Sequence, residues 1–155
     1  METIAENRRA RFDYEITDKF EAGIELLGLE VKSAKAGRLN LAGSYGIIRG
    51  SSPRRSGGRS AGEAWLINAQ IPPYQPNNTP AGYDQGRSRR LLLRRDEIKK
   101  LVGALKAKQF LIPLRAYVKN NFIKIELGLG KSRRKGDKRE LLKKRSAERE
   151  MRQLK

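Results

Sequence analysis

Apolar and polar residues alternate over much of the chain, the period of half-buried strands. Phe12, Tyr14 and Ile16 alternate with polar neighbours and predict a first strand. Over residues 24–32 the apolar phase slips from Ile24/Leu26 to Leu27/Leu29/Val31, and a slip between Leu26 and Gly28 is how a β-bulge looks in sequence. Residues 44–49 and 64–70 read as a hairpin pair. The clearest strands come late. Phe110, Ile112, Leu114, Ala116 and Val118 alternate, the turn Lys119-Asn120-Asn121 follows, and Ile123, Ile125, Leu127 and Leu129 alternate again. One helix is predicted over residues 95–108, where Ile98, Leu101, Val102 and Leu105 share a face and Asp96 and Glu97 favour the positive N-terminal end. A shorter helical turn around 33–36 ends at Gly37. This pattern predicts an α+β, mainly β fold: a small OB-like antiparallel β-barrel with two or three short flanking helices.

Two stretches fall outside the pattern. Residues 50–62, GSSPRRSGGRSAG, read as a flexible loop inserted in the early hairpin. Residues 131–155 hold 12 basic and 4 acidic residues, and Leu141, Leu142, Ala147, Met151 and Leu154 are too few to offset the entropy of folding alone. We expect a barrel domain over 1–130 and a basic tail over 131–155, disordered when free, with a composition that favours helix on an anionic surface.

Charge then narrows the partners. The 155 residues carry 35 Lys+Arg against 17 Asp+Glu, a formal charge of +18. Such an excess repels itself in a free globule, so a polyanion is expected, nucleic acid ahead of an anionic membrane. Cys and His are both absent, which removes thiolate nucleophiles, zinc ribbons, imidazole bases and Ser-His-Asp triads. The N-terminal segment has no apolar run of a signal peptide, and no stretch approaches the ~20 apolar residues of a membrane span, so a cytoplasmic protein is expected.

Gly128-Leu129-Gly130-Lys131-Ser132 ends like a phosphate-cradling loop, but Ile125 stands where that motif needs its first glycine. Among Asp13, Glu15, Glu21, Glu25, Glu30 and Glu126 no spacing picks out a catalytic or metal-binding pair, so no enzyme activity, metal or cofactor is expected. Asn7-Arg8-Arg9-Ala10-Arg11-Phe12 interleaves guanidinium groups with a ring, suited to phosphates and unpaired bases. Residues 87–95 bracket three leucines with five arginines, and Leu92 most simply points outward. Arg115, Lys119 and Lys124 take outward positions on the last two strands, where OB-like folds hold oligonucleotides. Carboxylates such as Glu21 and Glu30 fit an RNA-binding face if they accept hydrogen bonds from base edges or 2′-hydroxyls.

Together the strings ENRRARFDYEI, FEAGIELLGLEVKSAKAG, LNLAGSY, RRLLLRRDEIKKLVG and GKSRRKGDKRELLKKR, in this order over nearly the whole chain, resemble the SsrA-binding protein (SmpB) family. The resemblance implies an OB-like barrel that grips the tRNA-like domain of transfer-messenger RNA. It also implies delivery to the stalled 70S ribosome with elongation factor Tu, indirectly through the aminoacylated RNA. Family RNA-contacting positions carry over to Asn7, Arg11, Glu21, Leu92 and Lys124, to which we add Arg8, Arg9, Glu30, Lys32 and Lys119. The tail is implied to become helical in the empty mRNA channel, where Lys131, Arg133, Arg134, Lys135, Asp137, Lys138 and Arg139 would meet small-subunit ribosomal RNA at the decoding centre.

The chain departs from the family pattern at Phe12, where His is usual, at Gly136, where a ring is common, and in the longer loop over 50–62. Two rival readings make different demands. A general single-strand-binding or ribosomal OB protein would bind unrelated RNA as tightly, and a carboxylate–metal nuclease would turn RNA over with Mg²⁺ through Glu21 or Glu30.

Overall fold

The computed structural model describes residues 2–50 and 62–153, so the predicted inserted loop falls, apart from its two ends, outside the described residues. Among the described residues seven strands pair antiparallel: β1 (Glu2–Glu6), β2 (Tyr14–Ile24), β3 (Tyr45–Arg49), β4 (Glu63–Ile67), β5 (Arg89–Leu92), β6 (Phe110–Lys119) and β7 (Phe122–Ser132). Their order is β1-β6-β3-β4-β5-β2-β7, and β6 also pairs with β7, so the sheet closes on itself in the OB-like manner expected. The α-helices among the described residues are α1 (Ala10–Asp13), α2 (Gly28–Lys35), α3 (Arg95–Lys106) and α4 (Lys135–Gln153).

Leu41, Leu66, Ile71, Leu91, Leu111, Ile125 and Leu127 fill the ring, and α3 adds Leu101. Each such side chain contributes roughly 1.5–3 kcal/mol when fully removed from water. The late hairpin forms because Asn120 and Asn121 accept positive φ, at 51° and 67°, the backbone a tight two-residue turn requires. Every apolar residue of the β7 alternation, Ile123 through Leu129, reaches the core.

Three expectations are corrected. The phase slip over residues 24–32 is no bulge: β2 ends at Ile24 and α2 begins at Gly28, so the spacing changes from strand to helix. Glu30, Ser33 and Ala34 are its buried positions, and the register shift in β2 falls between Ile16 and Asp18. The alternation in β6 is also interrupted, by a shift between Pro113 and Arg115. Around it, Ile112 and Leu114 leave the ring interior and join Ala10, Tyr14 and Ile16 in a small second cluster beneath α1. Phe12 belongs to α1 and precedes the strand it was expected to open. β1 carries almost no apolar alternation to announce it, its apolar residues being Ile4 and Ala5.

Candidate nucleic-acid interface

Register decides which side chains share the outer wall of the ring. Arg115, Tyr117 and Lys119 on β6 stand opposite Glu126, Lys124 and Phe122 on β7. Glu126 and Lys124 stand opposite Glu21 and Gly23 on β2, and Gly23 stands opposite Leu92 on β5. Directly opposed residues project to the same side. Glu21, Leu92 and Lys124, far apart in sequence, therefore meet on one wall, with Glu21 and Leu92 exposed and Lys124 half-buried.

The Glu21 carboxylate is held in place from below. The Tyr117 hydroxyl donates to it, and the Lys119 Nζ lies 3.3 Å away. The hydrogen bond from Tyr117, with help from Lys119 and the Lys124 charge, outweighs burial and holds Glu21 below the usual carboxylate range. Burial and the same bond push the Tyr117 phenol up to about 12. The Arg115 guanidinium covers the other side of the Tyr117 ring, 5.1 Å from its centroid. The wall thus presents an ionised acceptor among cations.

Beside it opens a groove of about 680 Å³, lined by Leu27 and Val31 at α2, Trp65, Leu92, Phe122 and Lys124, with Arg87 and Arg90. Phe122 is 68% exposed, Leu27 57% and Leu92 48%, a large apolar surface for so charged a chain. The Trp65 ring lies under the Arg49 guanidinium at 5.4 Å, and its buried Nε1 has no hydrogen-bond partner among the described residues. Rings and leucines flanked by guanidinium groups suit stacked bases with their phosphates.

Burial sets Glu30 and Asn7 apart from the other expected contacts. Glu30 is fully buried and faces inward: Arg87 donates to it, and Arg89, also fully buried, donates from Nε at 2.8 Å. Burial would raise this carboxyl, but hydrogen bonds from Arg87, the Leu27 amide and Arg89 together hold it below the ordinary range. Arg89 further donates to the Ala69 and Gln85 carbonyls, so the network ties α2 to the approach of β5. Asn7 is buried too. Its Nδ2 donates to the Pro113 carbonyl at 2.9 Å and the Leu41 carbonyl at 3.4 Å, anchoring the leading segment. Arg8, Arg9 and Arg11 beside it are exposed, as are Lys32 on α2 and Lys119.

The tail leaves β7 next to α1. Lys131 and Ser132 still pair with Glu15 and Tyr14, two residues past the expected domain boundary. The Arg133 amide donates to the Asp13 carbonyl at 2.8 Å, and its Nε to the Arg11 carbonyl at 3.3 Å. Lys138 pairs with Asp13 at 3.1 Å and lies 5.8 Å from the centroid of the Phe12 ring. Asp137 accepts from the Arg134 amide at 3.3 Å at the start of α4, and Arg134 and Arg139 are exposed. The side chain of Lys135 lies outside the described residues. Beyond Leu141, the described residues of α4 are exposed.

Sequence reasoning missed Tyr117, Trp65 and Phe122. The outward phase of Tyr117 between Arg115 and Lys119 was a usable signal, but Trp65 reaches the groove only through the pairing of β4 with β5.

The chain matches a family model described as "SmpB protein" over residues 4–155. It is 46% identical over 149 residues to the SsrA-binding protein of Gloeothece citriformis, covering 96% of this chain and 89% of the relative. It is 42% identical over 152 residues to the SsrA-binding protein of Synechocystis sp., covering 97% and 92%. Among solved structures, a chain from "tmRNA-SmpB: a journey to the center of the bacterial ribosome" superposes with a TM-score of 0.65 at 36% identity, covering 89% of this chain and 93% of that one.

Proposed function

We propose, from the premise that this chain belongs to the SmpB protein family, that it is the RNA-binding adaptor of trans-translation, binding transfer-messenger RNA and acting with it on stalled ribosomes. The observation that carries this reading is the convergence of Glu21, Leu92 and Lys124 on one cationic outer wall. On that wall Lys119, Lys124 and Arg90 neutralise phosphates of the tRNA-like domain, the ionised Glu21 accepts a hydrogen bond from a ribose hydroxyl or base edge, and Leu92 carries a base or sugar. Arg8, Arg9, Arg11 and Lys32 add phosphate contacts around it. The tail residues Lys131, Arg133, Arg134, Lys135, Asp137, Lys138 and Arg139 engage small-subunit ribosomal RNA in the decoding site, standing in for codon–anticodon pairing. Elongation factor Tu acts through the aminoacylated RNA.

The adaptor role is non-catalytic in this reading and belongs to the cytoplasm. No helix among the described residues is long and apolar enough to cross a membrane. The test is capture of the full chain from a bacterial lysate with sequencing of the bound RNA. Enrichment of transfer-messenger RNA over all other small RNAs is expected, and a pool without that enrichment overturns the assignment in favour of a general RNA-binding protein.

A further inference from the structure

One wall of the cleft beside the leading segment belongs to the tail. This cleft, of about 500 Å³, is lined by Arg8, Arg11, Lys19 and Arg115 from the body and Arg145 from α4, with Glu6 and Glu126 as its acids. Both acids are already engaged, Glu126 by Arg115 at 2.5 Å and Lys19 at 3.6 Å, and Glu6 by Arg8 at 3.7 Å. Among the described residues, the guanidinium groups of Arg11 and Arg145 have no hydrogen-bond or ion-pair partner. Positive charge therefore outweighs negative in a concave site that two elements share.

Arg145 lines this cleft with an exposed side chain, carried there because α4 touches the body at Lys138 and Leu141, two turns and one turn before it. Lys138, Leu141 and Arg145 follow at the i, i+3, i+7 spacing of a helix face. Lys138 is fixed by Asp13, and Leu141 is half-buried. Unpaired guanidinium groups facing a cleft of excess positive charge are an arrangement that grips phosphate with two parallel N–H bonds each.

We propose that this cleft is a phosphate site for the backbone of a folded RNA, built jointly by body and tail, so that RNA seated on the barrel also orders α4. The inference rests on the RNA-binding function above and adds Arg145 to the binding surface. The coupling is reciprocal, because whatever favours the docked helix must strengthen RNA binding by the same factor.

The test titrates a transcribed tRNA-like domain of transfer-messenger RNA into the full chain, R145A and R152A. Arg152 lies on the same helix, is exposed and does not line the cleft. R145A is expected to lower the slope of log K against log salt by roughly 0.7–0.9 and to weaken binding roughly four- to six-fold at about 0.15 M salt, with R152A unchanged. In the same samples, hydrogen exchange of the α4 amides slows on adding RNA in the full chain and in R152A, and fails to slow in R145A. Equal slopes for R145A and R152A, or exchange in α4 that RNA leaves unchanged, overturn the shared site. These failures are distinct from failure of the proposed function, which shows as equal affinity of the full chain for an unrelated folded RNA and leaves the slope comparison intact.

Discussion

The Tyr117 hydroxyl on β6 donates to the Glu21 carboxylate on β2, reaching across the intervening strand β7 to a residue 96 positions away in the chain. The bond places a charged acceptor on the outer wall and fixes where it points. It also separates the titrations of the two groups, the acid pulled down and the phenol pushed up.

Tyr117→Phe removes the donor and leaves the rest of the wall in place. The Glu21 carboxyl is expected to climb back toward the usual carboxylate range, which an NMR titration reads directly. In the intact protein Tyr117, pushed up to about 12, is expected to stay protonated beyond the ordinary tyrosine range in an ultraviolet titration. Because the folded value lies above the unfolded one of about 10, the associated stability is complete below pH ~10 and is lost as pH rises through the folded value. A phenol titrating at an ordinary value would show that the bond does not form.

Glu30→Gln is expected to destabilise the fold by about 3–5 kcal/mol, since it leaves buried guanidinium charge uncompensated. Its folded value is depressed, so its contribution is present above the unfolded carboxylate range and disappears as pH falls through the folded value. Denaturant midpoints measured down the acid limb should therefore converge for the wild type and the variant. Parallel curves would exclude Glu30 as the source.

Gly130→Ala tests the closure of the ring. A Cβ at Gly130 would sit 2.1 Å from the Glu15 carbonyl oxygen, backbone that cannot turn away. The substitution is expected to cost about 1–3 kcal/mol or more and to loosen the pairing of β2 with β7, visible as faster amide exchange at Ile16 and Leu129.

Lys124→Ala and Leu92→Ala separate charge from apolar contact on one wall. The lysine variant is expected to lower the salt slope of RNA binding by roughly 0.7–0.9, as one phosphate contact should. The leucine variant weakens binding while leaving that slope untouched. Isothermal titrations at several salt concentrations distinguish the two, and an unchanged slope for Lys124→Ala would remove it from the phosphate contacts.

Truncation after Arg134 leaves β7 whole and removes α4. RNA affinity should fall by no more than the roughly four- to six-fold expected for one phosphate contact, whereas tagging of peptides on stalled ribosomes should be lost. Tagging by the shortened chain would refute a decoding role for the tail.

Local signals served the fold well where they were strong. The double asparagine turn and the alternation through Ile123–Leu129 fixed the late hairpin, and the stripe Ile98, Leu101, Val102, Leu105 fixed α3. Leu92 could be placed outward because three consecutive leucines cannot share one core. What local signals could not show is decided by a distant partner. Glu30 and Asn7 look like surface residues until Arg89, 59 positions on, and Pro113, 106 positions on, are folded against them. The phase of β6 likewise depends on α1, which draws Ile112 and Leu114 to its own side.

The buried Glu30–Arg89 pair has one consequence for genetics. It holds α2, and with it Leu27 and Val31, at the edge of the apolar groove. A screen for loss of recognition would then recover interior alleles alongside exposed ones, and their phenotype would track temperature rather than ionic strength.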